Sequence, residues 1–224
     1  MIKNILNLGD AALYCDFGQD VNKETNSSVI KYFNKIQKLK IESINNITPS
    51  YNKLIISFDL KKIKYAELKD IIEKIQIDKE DSFKTKIIEI PICCEEPYSL
   101  DFTRLEEKLQ LSKEQILKNF FNKKYFCYMT GFIAGMPFLG DLNENMRAQR
   151  LETPRVKVPK GSIGITEQFA NIYTFESPGG WNIIGNTPIK VFDNSREDMP
   201  NLINPGDTVI FKEISKEKYL NYVQ

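Results

Sequence analysis

The chain has 224 residues, 42% of them hydrophobic and 27% charged, enough apolar material for one or two ordinary cores. Lys and Arg total 31 against 30 Asp and Glu, a net charge of +1, so no global field points to nucleic acid or an anionic membrane as partner. Histidine is absent, which excludes a Ser-His-Asp or Cys-His site within this chain and leaves carboxylates, lysines or groups on another subunit as bases.

The opening MIKNILNLGDAALYC lacks the apolar run and small-residue cleavage site of a secretory leader, and no later run approaches the roughly 20 apolar residues of a membrane span. The expectation is a cytoplasmic protein. ALYCDF places Leu13, Cys15 and Phe17 on one face and Tyr14 and Asp16 on the other, the period of two of a half-buried strand. Val29, Phe33 and Ile36 then recur at helical spacing, with Asn26 or Ser27 as the expected N-cap. IESINNIT and LIISFD read as short strands joined through Pro49 and Ser50, with Leu54, Ile56 and Phe58 sharing a face. A second helix carries Tyr65, Leu68, Ile72 and Ile75 on one stripe. With a further strand behind it, the order β-α-β-β-α-β predicts a ferredoxin-like α+β domain over residues 1–84.

From Ile87 the pattern changes. KIIEIPICC predicts a strand with Ile88, Ile90 and Ile92 on one face, and two short helices follow, the second opened by a capping box of Ser112 and Gln115. Beyond Tyr125 no helical periodicity stands out. The short apolar runs YFCYMTGF, GSIGIT, NIYTF, WNIIG, PIKVFD and TVIFKEI, punctuated by Gly and Pro, predict a β-barrel or sandwich over residues 85–224. NPGD at 204–207 reads as the turn feeding the last strand.

Several stretches carry two readings. Cys15, Cys93, Cys94 and Cys127 have neither C-x-x-C nor metal-type spacing and read as buried thiols. GFIAGMPFLG, with Gly131, Phe132 and Gly135, is either a bulged corner or a loop whose backbone approaches a ligand; it lacks the spacing of a Walker loop or dinucleotide fingerprint. LETPRVKVPKGSIG holds Arg155, Lys157 and Lys160, either a solvated loop or a clamp for carboxylate or phosphate. Glu167 and Glu176 flank NIYTF, but a spacing of nine residues defines no acid–base pair. SPGGWNIIGNTP, with the single tryptophan, is a turn or the wall of a site, and Trp181 packs as core or floors that site.

Taken together, TPRVKVPKGSIGI, SPGGWNIIGNTPIKVFD, NPGDTVIF, YFCYMTGFIAGMPFLGDL, LGDAALYCDFG and ITPSYNKLIISFD resemble, in order and spacing, the family of the 5-oxoprolinase B subunit, the kinase inhibitor KipI and allophanate hydrolase subunit 1. The resemblance implies a small α+β domain at 1–84 followed at 85–224 by a cyclophilin-like β-barrel of the carboxyltransferase subdomain C/D type. It implies a second cyclophilin-like subunit of the KipA type and a LamB/YcsF-like third subunit as partners. Such an assembly couples ATP hydrolysis, with Mg, to opening of 5-oxoproline, giving glutamate, ADP and phosphate; a chain without a Walker loop is then inert alone. The alternatives it implies are an allophanate hydrolase-type subunit or an inhibitor of sensor histidine kinase autophosphorylation that docks by its barrel surface. Carried over by motif, the expected substrate- or phosphate-binding residues are Arg155, Lys160, Ser162, Ser177, Gly179, Gly180, Trp181, Gly131, Phe132 and Gly135, with no metal site in the chain. The family's A-G-G-Q-T-G run is TEQFAN here, and a position that is often histidine is Phe120.

Overall fold

The computed structural model describes residues 1–77, 85–196 and 199–223. The chain divides into two compact units, Met1–Lys84 and Thr85–Gln224. The first contains β1 (Asn4–Asn7), β2 (Ala12–Asp16), α1 (Lys23–Leu39), β3 (Ile44–Pro49), β4 (Lys53–Phe58) and α2 (Tyr65–Glu73). Its four strands form one antiparallel sheet in the order β1-β2-β4-β3. Alternation does the work here: Leu13, Cys15, Leu54, Ile56 and Phe58 turn to one face and meet Val29 and Ile36 of α1 and Leu68 and Ile72 of α2 in a common core.

Two expectations differ from this unit. The elements run β-β-α-β-β-α, and the edge position beside β2 belongs to the amino-terminal strand β1, with which it makes a hairpin. The further strand expected behind α2 is absent through residue 77, and residues 78–84 lie outside the described residues. The N-cap of α1 is Asn22, whose side chain accepts from Thr25 N at 2.8 Å. Asn26 instead lies inside the helix, fully buried, and its Nδ2 donates to the carbonyls of Ser50 and Tyr51 at 3.1 and 2.8 Å, tying α1 to the β3–β4 turn.

The second unit contains β5 (Ile87–Ile92), α3 (Phe102–Leu109), α4 (Lys113–Phe121), β6 (Lys124–Thr130), β7 (Pro137–Gly140), β8 (Arg155–Val158), β9 (Ser162–Thr166), β10 (Phe169–Ile172), β11 (Ser177–Gly179), β12 (Asn182–Asn186), β13 (Thr208–Glu213) and α5 (Lys216–Val223). Seven strands form a curled half-barrel sheet in the order β12-β9-β10-β7-β6-β13-β5, while β8 and β11 form a separate two-stranded sheet. All neighbours in the large sheet are antiparallel except β13 and β5. The two ends of the strand order meet: Cys93, just past β5, and Asn186, at the end of β12, exchange N–H···O bonds of 2.9 and 3.0 Å. Gly185 permits that approach, because a Cβ there would stand 2.7 Å from the Cys93 carbonyl oxygen.

The interior holds Ile90, Ile92, Ile163, Ile165, Ile172 and Val209 from the strands, with Leu105 and Ile116 from the helices. The capping box forms as the spacing predicts, Gln115 N donating to Ser112 Oγ at 3.3 Å and Ser112 N to Gln115 Oε1 at 2.8 Å. Phe120 is fully buried and stacks on Phe211 with ring centroids 4.9 Å apart, a position with no access for chemistry. The NPGD turn closes through Asp207 N to Asn204 O at 3.0 Å, with Gly206 at φ +95°.

Two local expectations fail. PIKVFD is not a strand; it packs Val191 into the core and makes a lone bridge between Phe192 and Asn201. And the chain has a helix beyond Tyr125: α5, from Lys216 to Val223. Every described side chain of α5 except Tyr219 is exposed, so no apolar stripe announced it. Tyr219 anchors it, its ring 4.3 Å from that of Tyr98 and its hydroxyl donating to Asn186 Oδ1 at 2.8 Å. Among the described residues no helix is long and apolar enough to cross a membrane.

Candidate functional site

Strands β8 and β11 bring the TPR and SPGG segments face to face. They pair antiparallel, Ser177 opposite Val158 and Gly179 opposite Arg155, with a register shift between them. Prolines at 154, 159 and 178 keep this ribbon short, since proline donates nothing to a ladder. Arg155 Nη2 pairs with Asp101 Oδ1 at 2.5 Å, and Asp101 Oδ2 accepts from Ile183 N of β12 at 2.6 Å. Asp101 is 5% exposed and sits at the start of α3, so one carboxylate fixes helix, sheet and guanidinium together.

The pairing leaves donors unspent. Nη1 of Arg155 is buried and has no hydrogen-bond partner among the described residues, and the same holds for Ser177 Oγ and Asn171 Nδ2. A buried guanidinium nitrogen without an acceptor costs free energy unless something completes it. The Tyr173 hydroxyl fills the space that a side chain at position 179 would need. Burial raises the Tyr173 pKa against the lowering pull of the Asn171 side chain, the Trp181 amide, Arg150 and Arg155, so the phenol is a neutral donor at ordinary pH.

Trp181 is half-buried. Its ring meets Phe138 edge-on at 5.6 Å, and its Cβ lies over Gly164, where an added Cβ would come within 2.9 Å. Met136, Val158, Tyr173 and Ile183 form a small apolar cluster against which Ile133 and Phe138 pack. Through Met136 and Ile133 the loop of Gly131, Phe132 and Gly135 reaches that same cluster, and Thr174 Oγ1 donates to the Ala134 carbonyl at 2.7 Å. Gly135 has φ +68° with Phe192 packed against its Cα, and Phe132 is 71% exposed at φ +69°.

The other expected residues stand elsewhere. Lys160 lines a cavity of 230 Å³ with Gly161, Thr187, Lys190 and Tyr219, a lining that includes neither Arg155 nor the 177–181 segment. Ser162 is buried, its hydroxyl 3.5 Å from Asn186 Nδ2, which also donates to the Lys160 carbonyl at 2.9 Å. Tyr173 belongs to both surroundings, one edge against Gly179 and another in the Lys160 cavity. TEQFAN forms the β9–β10 hairpin, with Glu167 at φ +45° and its N–H on the Ala148 carbonyl at 2.7 Å. Glu176 pairs with Lys157 at 3.0 Å, both exposed. Among the described residues no group of three or more Cys, Asp or Glu side chains is placed to hold a metal ion. Asp101 escaped the sequence reading because it lies 54 positions from Arg155, while Asn171 and Tyr173 lie within TEQFAN and NIYTF with no spacing that marks either as part of the site.

The carboxyltransferase domain, subdomain C and D, matches residues 3–203. Among curated proteins, the 5-oxoprolinase B subunit of Bacillus subtilis is 30% identical over 96% of this chain and 94% of its own. The urea amidolyase of Lachancea kluyveri is 25% identical over 94% of this chain and 13% of its own length. Among solved structures, TTHA0988 superposes with a TM-score of 0.82 at 26% identity, over 91% of this chain. This chain spans 40% of TTHA0988. The conserved uncharacterized protein PH0987 from Pyrococcus horikoshii is 31% identical, with a TM-score of 0.57, over 96% of this chain and all of its own.

Proposed function

The chain belongs to the carboxyltransferase-domain family, subdomain C and D, and from that premise we propose that it is the B subunit of an ATP-dependent 5-oxoprolinase, working with a second cyclophilin-like subunit and a LamB/YcsF-like subunit. The reading extends to this chain what the names of its relatives say of them: subunits or segments of amide-hydrolysing enzymes. The urea amidolyases, in which a segment like this one is a small part of a long chain, support a role that requires neighbours.

The observation that carries the reading is Arg155. Its one nitrogen is held by a buried carboxylate and the other is buried without a partner among the described residues, opposite a glycine. Opening a lactam with ATP passes through a phosphorylated carbonyl oxygen and a tetrahedral intermediate whose oxygens carry the negative charge. Preorganised donors aimed at such an oxygen lower the barrier more than any other single device. Arg155 Nη1 is a donor of that kind, and the Tyr173 phenol packs against Gly179, the residue paired with Arg155. Histidine being absent, the proton acceptor for the attacking water is a carboxylate, a lysine or a group on a partner subunit. Cytoplasmic residence follows from the same assignment.

The test is a phosphate-release assay on the chain co-purified with its partners. Release that depends on 5-oxoproline supports the reading; an intact complex that releases ammonia from allophanate, and no phosphate with 5-oxoproline, replaces it with the allophanate hydrolase-type one.

A further inference from the structure

A cleft of 450 Å³ on the second unit is lined by Arg104, Lys108, Arg147 and Arg150, with Glu152 as its single carboxylate. The four cations are not equivalent. Arg104 is held in place: it donates to the Asn182 side chain and to the carbonyls of Gln149 and Arg150 at 3.4 and 3.5 Å. Asn182 Nδ2 in turn donates to the Gln149 and Ile165 carbonyls, so the 147–153 segment is pinned to β9 and β12. Lys108, Arg147 and Arg150 have no ion pair among the described residues. Arg150 lies 3.3 Å from the point where a Cβ on Gly180 would stand, and Leu151 N donates to the Gly180 carbonyl at 2.7 Å. Gly180 thus leaves room for the guanidinium at the cleft wall.

Like charges gathered in one cleft, Arg104 and Lys108 from α3 and Arg147 and Arg150 from the pinned segment, repel one another, and a single carboxylate offsets only part of that repulsion. A polyanion offsets the rest. We propose that this cleft is a polyphosphate site, taking the phosphate chain of a nucleoside triphosphate on Lys108, Arg147 and Arg150, with Arg104 as its fixed backing. Arginine forks suit phosphate oxygens, and a triphosphate brings enough negative charge to answer several cations at once. The lining holds no aromatic ring, so no surface stacks a base and the cleft reads phosphate rather than nucleobase. The inference goes beyond the 5-oxoprolinase reading and does not rest on the lactam substrate.

The experiment is calorimetric titration of the full chain, at about 0.15 M salt and again at higher salt, with inorganic tripolyphosphate, ATP, GTP and inorganic phosphate. Tripolyphosphate, ATP and GTP are expected to bind comparably, inorganic phosphate far more weakly, and all more weakly as salt rises. Arg147→Gln and Lys108→Gln, both at exposed positions, are each expected to weaken tripolyphosphate binding about tenfold or more while leaving the melting temperature unchanged. No binding of tripolyphosphate, binding of ATP without tripolyphosphate, or binding indifferent to both substitutions overturns the proposal. A chain that binds tripolyphosphate through these residues, yet shows no 5-oxoproline-dependent phosphate release with its partners, keeps this site and removes the lactam reading.

Discussion

Arg155 and Asp101 form an ion pair of 2.5 Å in which the carboxylate is 5% exposed and the guanidinium side chain 27%, leaving Arg155 Nη1 buried and without a hydrogen-bond partner among the described residues. Arg155→Lys keeps a cation for Asp101 and removes the second nitrogen. The expected outcome is a melting temperature near that of the parent chain and a kcat of the assembled enzyme lower by about a hundredfold. Unchanged turnover in a folded, assembled Arg155→Lys complex would remove Arg155 from the chemistry. Asp101→Ala acts on stability instead, costing about 3 kcal/mol in urea denaturation because it strands a partly buried cation and the Ile183 amide.

Gly179 and Tyr173 compete for one volume. A methyl at position 179 meets the tyrosine hydroxyl and then its ring carbons at 2.8 and 2.9 Å, while the backbone there imposes no positive φ. Gly179→Ala is expected to cost about 2 kcal/mol, by overpacking alone. In a Tyr173→Phe background the cost falls in part, since the hydroxyl is the nearest atom but not the only close one. Strictly additive effects in the double-mutant cycle would show that the two residues are not in contact.

The thiols report on burial. All four cysteines are free and buried, and burial raises their pKa values, Cys15 to about 12. Their folded values lie above the unfolded one, so the protonated thiols favour the fold fully below about pH 8.5, and that contribution is lost as pH climbs through the folded values. Stability from urea melts is therefore expected to decline in strongly alkaline solution. Iodoacetamide at mildly alkaline pH should label the native chain slowly and the unfolded chain at every cysteine. A fast-labelling thiol in the native protein contradicts the burial.

Closure of the strand order depends on position 185. Gly185→Ala would set a methyl 2.7 Å from the Cys93 carbonyl oxygen and 3.0 Å from Cys94 Sγ, and a backbone oxygen has little room to retreat. The expected signature is local: faster hydrogen exchange at the Cys93 and Asn186 amides than at the amides of β9 and β10, with an overall loss of about 2 kcal/mol. Equal acceleration across the sheet would mean that the bridge is not a separate closing element.

Much of this was legible. Alternation at Leu13, Cys15, Leu54, Ile56 and Phe58 located a buried sheet face, and Ser112 with Gln115 located a helix start, because each is decided by residues within a few positions of one another. The SPGG and TPR segments stood out by composition, and their pairing puts Gly179 opposite Arg155. What stayed hidden depends on contacts distant in sequence. Asp101 reaches Arg155 across 54 positions, and Arg104 reaches Asn182 across 78. The helix α5 is anchored by Tyr219, and Asn22 caps α1 while Asn26, one turn inside it, is bonded to the distant Ser50 and Tyr51 carbonyls. Lys160 shared a loop with Arg155 in sequence, yet Gly161 at φ +83° turns the chain between β8 and β9 and leaves Lys160 in its own cavity.

The main-chain bridge between Cys93 and Asn186 limits how this protein can be extended. Where the first and last strands of an order are tied to each other, a visiting strand finds no template there, so growth of the large sheet by strand addition is blocked at that point. Among the described residues the small sheet of the first unit has no such tie, and β1 and β3 each keep one side unpaired within it. Any runaway pairing between copies of this chain, in storage or during overexpression, should therefore begin at residues 4–7 or 44–49, and a lysine or proline placed there is the economical remedy.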